Sequence, residues 1–229
     1  MNLALAIVPP TFLSPYGPRG ALVPLSKRMR LLHPAACASL DGAHDWLVLT
    51  DCFRSLASSL AARAAKRGVQ KPGWSAHNFG LAIDVDVRRT LKRMRAEAGG
   101  GAFFKATLDK EMESRGWYCY RADHKLDAPE SWHMSWSARG PGSAAVEDVI
   151  QRYYGEYLAL DKKQVQRTLA ALGLYRGEFD GKHGPQTKAA VAAFQRTWSL
   201  APDGVAGPET QRLLAVAEAH TRVRVPVSS

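Results

Sequence analysis

An aspartate, Asp84, sits inside the apolar run Leu81–Val87. A run dense in Leu, Ile and Val and only four to eight residues long reads as a buried strand. A carboxylate buried there needs a partner charge or a metal ion, because a lone buried charge is costly. Seven residues upstream of Asp84, His77 lies in a segment flanked by Gly73 and Ser75. Far along the chain, Pro129–Trp136 supplies a second histidine, His133, with Glu130 three residues before it. Two imidazole nitrogens, one carboxylate oxygen and an open position for water make up the donor set of a catalytic zinc site.

The residue types suit that chemistry. Zinc takes neutral imidazole and carboxylate ligands, and three protein ligands leave one position for a water whose acidity the metal raises. A nearby carboxylate that is not a ligand can accept the water's proton and pass it to a leaving amine. His77, Asp84 and His133 fit the ligand roles, and Glu130 fits the base. Arg54, just beyond the end of a strand, is the candidate to bind a substrate carboxylate or stabilise a developing oxyanion. Each residue taken alone has a plainer reading: a hydrogen-bonded histidine, a strand-end aspartate, a surface Glu–His pair, a solvated arginine. Asp86, on the same strand face as Asp84, is the rival ligand.

At 229 residues the chain has room for a core of about 100–150 residues and a smaller module. Its formal charge of +10 is spread along the chain, with 20 basic against 14 acidic residues in 1–150 and 11 against 7 in 151–229. That favours attraction to a large anionic surface such as a cell envelope. No basic cluster is interleaved with stacking aromatics, so nucleic acid is not the expected partner. Cys37, Cys52 and Cys119 are odd in number and lack C-x-x-C spacing, which points to reduced thiols. Met1–Pro10 lacks a basic start and runs into Pro9-Pro10, so no secretory signal is expected. No segment approaches the roughly 18 apolar residues of a membrane span. A monomer made in the cytoplasm without a signal peptide is expected.

Along the chain, residues 1–25 read as an irregular Pro/Gly-rich arm and Ser26–His33 as a short helix limited by Pro34. Trp46–Thr50 is expected as a strand, Ser55–Arg67 as a helix stopped at Gly68, and Arg88–Arg95 as a basic segment. Ala102–Ser114 is expected as a helix, with strands at Trp117–Tyr120 and Trp132–Trp136 joined by a polar loop. Ala144–Leu160 and Lys162–Leu172 read as helices. An internal repeat follows: Asp180–Thr187 and, 23 residues on, Asp203–Thr210 both read D-G-x-x-G-P-x-T. Asp-Gly makes a tight turn, and Pro opens a helix at its first position.

Two resemblances extend this reading. Ser75–Asp84 matches S-x-H-x-x-G-x-A-x-D, Glu130–His133 matches E-x-x-H, and Phe53–Ser55 looks like Y-R-S. Over roughly residues 20–137 the chain resembles the zinc D,D-carboxypeptidase and L-alanyl-D-glutamate endopeptidase family, which cuts peptidoglycan stem peptides. Its members include VanY-type carboxypeptidases and several phage endolysins. The resemblance implies one zinc ion held by His77, Asp84 and His133, Glu130 as general base, Arg54 as the substrate-orienting or oxyanion group, and Ser75 at the substrate. Phe53 departs from the usual tyrosine, and the helix after Arg54 lacks an early glutamine, which puts substrate contacts in doubt. Leu169–Gln195 resembles the three-helix peptidoglycan-binding domain of many cell-wall hydrolases. The expected fold class is therefore α+β: a zinc D,D-peptidase-like catalytic domain with a small antiparallel sheet and flanking helices (1–142), then a connecting helix (143–160), an all-α three-helix domain (161–220) and a tail (221–229). The expected function is an endolysin-like zinc peptidase acting on the peptidoglycan of the cell wall, its wall-binding module holding it on the substrate. A D,D-carboxypeptidase of wall remodelling, or a wall-binding protein with a structural zinc, are the alternatives.

Overall fold

The computed structural model describes residues 3, 5–13, 30–65, 70–119, 131–137 and 146–223. They divide into two compact units. One contains Ala4–Arg54 and Ala76–Val149, and the other Ser55–Ser75 and Ile150–Val223.

The apolar run around Asp84 does form a strand, β4 (Ala82–Val85). It lies in a four-stranded antiparallel sheet with β3 (Leu49–Asp51), β5 (Trp117–Cys119) and β6 (His133–Trp136), in the order β3-β4-β6-β5. Successive side chains alternate between faces. Ile83 is opposite Met134, and both are fully buried, so they mark the core face. Asp84 is opposite His133 on the other face, and Ala82 is opposite Ser135. Across the other edge of β4, Asp84 pairs with Asp51, beside a register irregularity in β3. One row of the sheet thus reads Asp51, Asp84, His133. Leu47, Val48, Phe79, Leu81, Leu108 and Trp117 fill the core beneath.

Helix α3 (Val87–Glu97) takes in the whole basic segment Arg88–Arg95 and buries Thr90, Leu91 and Met94 on one side. Asp86 caps it by accepting from the Arg89 amide at 3.0 Å, and it pairs with the Arg89 guanidinium at 3.3 Å. The rival ligand is therefore a helix cap. Helix α4 (Lys105–Ser114) follows the glycines at 99–101.

Three local expectations are corrected. Within residues 1–25, Ala6–Val8 is a strand, β1, paired antiparallel with β2 (Arg30–Leu32). Residues 30–32 are thus extended where a helix was expected. Pro34 disfavours helical geometry in the residue before it and instead opens α1 (Pro34–Ala38) at the first helical position. The expected strand at Trp46–Thr50 is shorter and shifted, to Leu49–Asp51. The rest is α+β as expected.

In the other unit, α2 (Leu56–Ala64) starts at Ser55, whose hydroxyl accepts from the Ser58 amide. It groups with α5 (Val146–Leu158) from Ile150 on, and with α6 (Lys162–Ala171), α7 (Pro185–Thr197) and α8 (Pro208–Thr221). The C-terminal module is all-α, and both repeat prolines open helices. Each repeat turn is clamped by a buried glutamine. Gln166 Nε2 donates to Asp180 Oδ1 (2.9 Å), the Lys182 carbonyl (3.1 Å) and Thr187 Oγ1 (3.2 Å), while its Oε1 accepts from the Gly181 amide (2.8 Å). Gln195 repeats the pattern on Asp203 (2.8 Å), the Val205 carbonyl (3.0 Å), Thr210 (3.2 Å) and the Gly204 amide (2.9 Å). Arg212 donates to the Gly73 carbonyl at 2.8 Å and lies over the Trp74 ring, tying Ser55–Ser75 to α8.

Candidate metal centre

His77 sits in a 3-10 turn, Ala76–Phe79, directly before β4. Two hydrogen bonds to backbone carbonyls hold that turn beside the end of β3: the Arg54 amide donates to the His77 carbonyl (2.9 Å), and the Asn78 side-chain Nδ2 donates to the Arg54 carbonyl (2.8 Å). Gly80 ends the turn at φ +69°, and a Cβ there would lie 2.7 Å from the His33 backbone nitrogen. Only glycine fits this junction without strain.

The turn brings His77 Nε2 to 3.2 Å from Asp84 Oδ1 and 3.1 Å from His133 Nδ1. His133 Nδ1 is 3.0 Å from the same Asp84 oxygen. His77 Nδ1 donates to the Cys52 carbonyl, which can only accept. A neutral His77 ring therefore presents a bare lone pair on Nε2. His133 Nε2 faces the Ser135 hydroxyl at 3.4 Å, so its Nδ1 is the atom that joins the cluster. With an ionised carboxylate and one bare imidazole nitrogen, at most the His133 proton is available for three contacts. A divalent cation satisfies all three lone pairs at once. Tetrahedral bonds of about 2.0–2.1 Å place ligand atoms roughly 3.3–3.4 Å apart, so the cluster needs to open by only a few tenths of an ångström. The donor set, spacing and outer contacts fit zinc.

The site is not sealed. His77 is 2% exposed, whereas the Asp84 and His133 side chains are 16% and 18% exposed. A structural zinc site is typically closed by four protein ligands, while a catalytic one keeps an open position. Without a metal, burial pushes the Asp84 carboxyl up, but when both rings are protonated the hydrogen bonds from His133 and His77 and the positive charge they then carry outweigh it and hold the group well below the usual carboxylate range. Burial raises the Cys52 thiol well above its ordinary value, with the Asp51 charge adding to it, so the thiol stays protonated and inert.

Arg54 reaches this cluster. Its guanidinium is 3.5 Å from Asp84 Oδ2 and is gripped by Asp51 Oδ2 through Nε (3.1 Å) and a second nitrogen (2.7 Å). Of the predicted site residues, the fold therefore brings together His77, Asp84, His133 and Arg54. Ser75 is buried two residues before His77 but is not one of the three clustered donors. Glu130 lies outside the described residues, as does the polar loop before it. Sequence reasoning missed Asp51, Cys52, Asn78 and Ser135. Two of these left a trace: Asp51 is three residues before Arg54, and Ser135 is two after His133, on the same strand face.

Comparison with known proteins speaks first to the other end of the chain. Residues 161–214 match the family model described as a putative peptidoglycan binding domain. The match begins at the cap of α6 and includes both glutamine clamps. Among curated relatives, the N-acetylmuramoyl-L-alanine amidase CwlM of Mycobacterium tuberculosis is 46% identical over 54 residues, 24% of this chain and 13% of that protein. The zinc D-Ala-D-Ala carboxypeptidase of Streptomyces albus G is 61% identical over 31 residues, 14% of this chain and 12% of that protein. A putative OxPP cycle protein OpcA of Synechococcus elongatus is 38% identical over 64 residues, 28% and 14% of the two chains. The chain thus spans about an eighth of the length of the curated relatives it matches. No solved structure matches. Among the described residues, no helix is long and apolar enough to cross a membrane.

Proposed function

We propose that this protein is a zinc-dependent, endolysin-like peptidase that hydrolyses an amide bond in the stem peptide or cross-link of bacterial peptidoglycan. Residues 1–142 supply the catalytic site, and residues 161–220 hold the chain on the wall. The observation that carries the reading is the convergence of His77 Nε2, Asp84 Oδ1 and His133 Nδ1 at 3.0–3.2 Å on a partly exposed face of the sheet. The match of residues 161–214 to a peptidoglycan-binding family supports the substrate class. The stretches shared with a cell-wall amidase and a zinc carboxypeptidase support hydrolysis.

His77, Asp84 and His133 would hold the zinc ion, whose Lewis acidity would make water a nucleophile near neutral pH. Glu130 takes the proton of the attacking water and delivers it to the leaving amine, so amide and water become carboxylate and amine. Arg54, oriented by Asp51, faces the charge that develops on the carbonyl oxygen or binds a substrate carboxylate. The partial exposure of Asp84 and His133 favours this catalytic reading over a closed structural zinc.

The test is mass spectrometry of fragments released from purified peptidoglycan by the zinc-loaded protein, alongside Glu130→Ala and a chelated sample. Cleavage of one class of amide bond by the wild type alone is expected, with Glu130→Ala retaining zinc and wall binding. Hydrolysis that survives Glu130→Ala or complete zinc removal would overturn the assignment.

A further inference from the structure

The two repeat turns are stiff, since each is held by a buried glutamine that engages a carboxylate, a carbonyl, a hydroxyl and an amide. They are also tied to each other: His183 of the first turn donates from Nε2 to the Gly204 carbonyl of the second at 2.7 Å. Between them lies a cavity of about 200 Å³, its lining including Lys162, Val165, Lys182, His183, Val205 and Gln211. No carboxylate lines it. The nearby Asp180 and Asp203 are engaged by Gln166 and Gln195 and by the Lys182 and Val205 amides. Two ammonium groups therefore set the sign of the cavity. Val165 gives it a buried apolar wall, and Val205, 56% exposed, gives it an apolar rim. The matched module, residues 161–214, has eight basic side chains against five acidic ones.

We propose that this cavity is the wall-recognition subsite of the module and takes a carboxylate-bearing residue of the peptidoglycan stem peptide. The carboxylate meets Lys162 and Lys182, and the residue's apolar part lies against Val165 and Val205. The volume is below the ~300–1,000 Å³ of pockets for drug-sized ligands, which suits one amino-acid residue better than a disaccharide. Because the clamped turns are preformed, little ordering entropy is lost on binding. This inference rests on the wall-acting reading above.

The experiment is co-sedimentation of the full-length, zinc-loaded protein with insoluble peptidoglycan stripped of phosphate polymers by acid. The variants are Lys162→Glu/Lys182→Glu and, separately, Val205→Asp. All three positions are exposed, and thermal melts check that the fold is kept. We expect each variant to lose about tenfold in affinity, wild-type binding to weaken with salt, and cleavage of a small soluble stem peptide to be unchanged. Free stem peptide should compete, and the same peptide with its carboxylates amidated should not. Unchanged variant affinity, or equal competition by the amidated peptide, overturns the subsite while leaving wall binding intact. Variant losses seen only on walls that retain phosphate polymers overturn the carboxylate in favour of phosphate. A wild type that binds no wall at all overturns the wall-acting reading itself and this subsite with it.

Discussion

Asp51 faces Asp84 across the sheet, yet its carboxylate grips Arg54 at 2.7 Å. It acts on the site through another residue, as outer contacts of metal centres commonly do. Asp51→Asn should leave bound zinc per chain unchanged and lower kcat by about 10–100-fold, with Asp51→Glu recovering part of the loss. Metal analysis beside steady-state kinetics on a stem peptide checks this, and loss of zinc from Asp51→Asn would show that Asp51 supports the ligands instead. Asp84 makes a second prediction. Its folded pKa is depressed, so in metal-free protein it contributes stability that is present above the ordinary carboxyl value of 3.8 and is lost as pH falls below it toward the folded value. Urea unfolding of chelated protein between pH 5 and pH 2 should show that acid loss in the wild type and a shallower one in Asp84→Asn.

At the scale of elements, the turn-to-strand junction sets the spacing of the site. Gly80 takes φ +69° against the backbone of residues 32 and 33. Gly80→Ala should cost about 1–3 kcal/mol and lower zinc affinity, because His77 and Asp84 flank the strained residue. A thermal melt and a zinc titration read the two effects separately. The glutamine clamps invite a parallel test. Gln166→Leu strands buried groups of the first repeat turn and should destabilise by about 2–3 kcal/mol. Gln195→Leu should cost a similar amount, since its four contacts reproduce those of Gln166 within about 0.1 Å.

At the scale of the whole chain, Ser55–Ser75 groups with the C-terminal helices although Arg54 and His77 on either side belong to the other unit. Its ties are specific: the Leu56 amide donates to His220 Nδ1 (3.4 Å), Lys71 pairs with Glu209 (2.9 Å), and Arg212 holds Gly73 and Trp74. A chain cut after residue 160 should therefore melt at lower temperature than the intact protein and aggregate more readily, besides losing wall binding. Calorimetry of the two chains side by side checks this, and equal melting would show that the helices at 161–221 do not support residues 55–75.

Much of the site could be read from the chain itself because its signals are local. A carboxylate in an apolar run and a histidine seven residues before it declare an unusual chemistry within a few residues. The repeat declared its two turns and helix starts for the same reason, since Asp-Gly and Gly-Pro act on their own backbone. Folding settled what depends on residues distant in sequence: Asp84 over Asp86 at the cluster, Asp51 as the brace of Arg54, the Cys52 carbonyl that sets the His77 tautomer, and the capture of residues 55–75 by α8. A hydrogen bond across a sheet register leaves no periodicity in the sequence, so only the packed chain could choose among those partners.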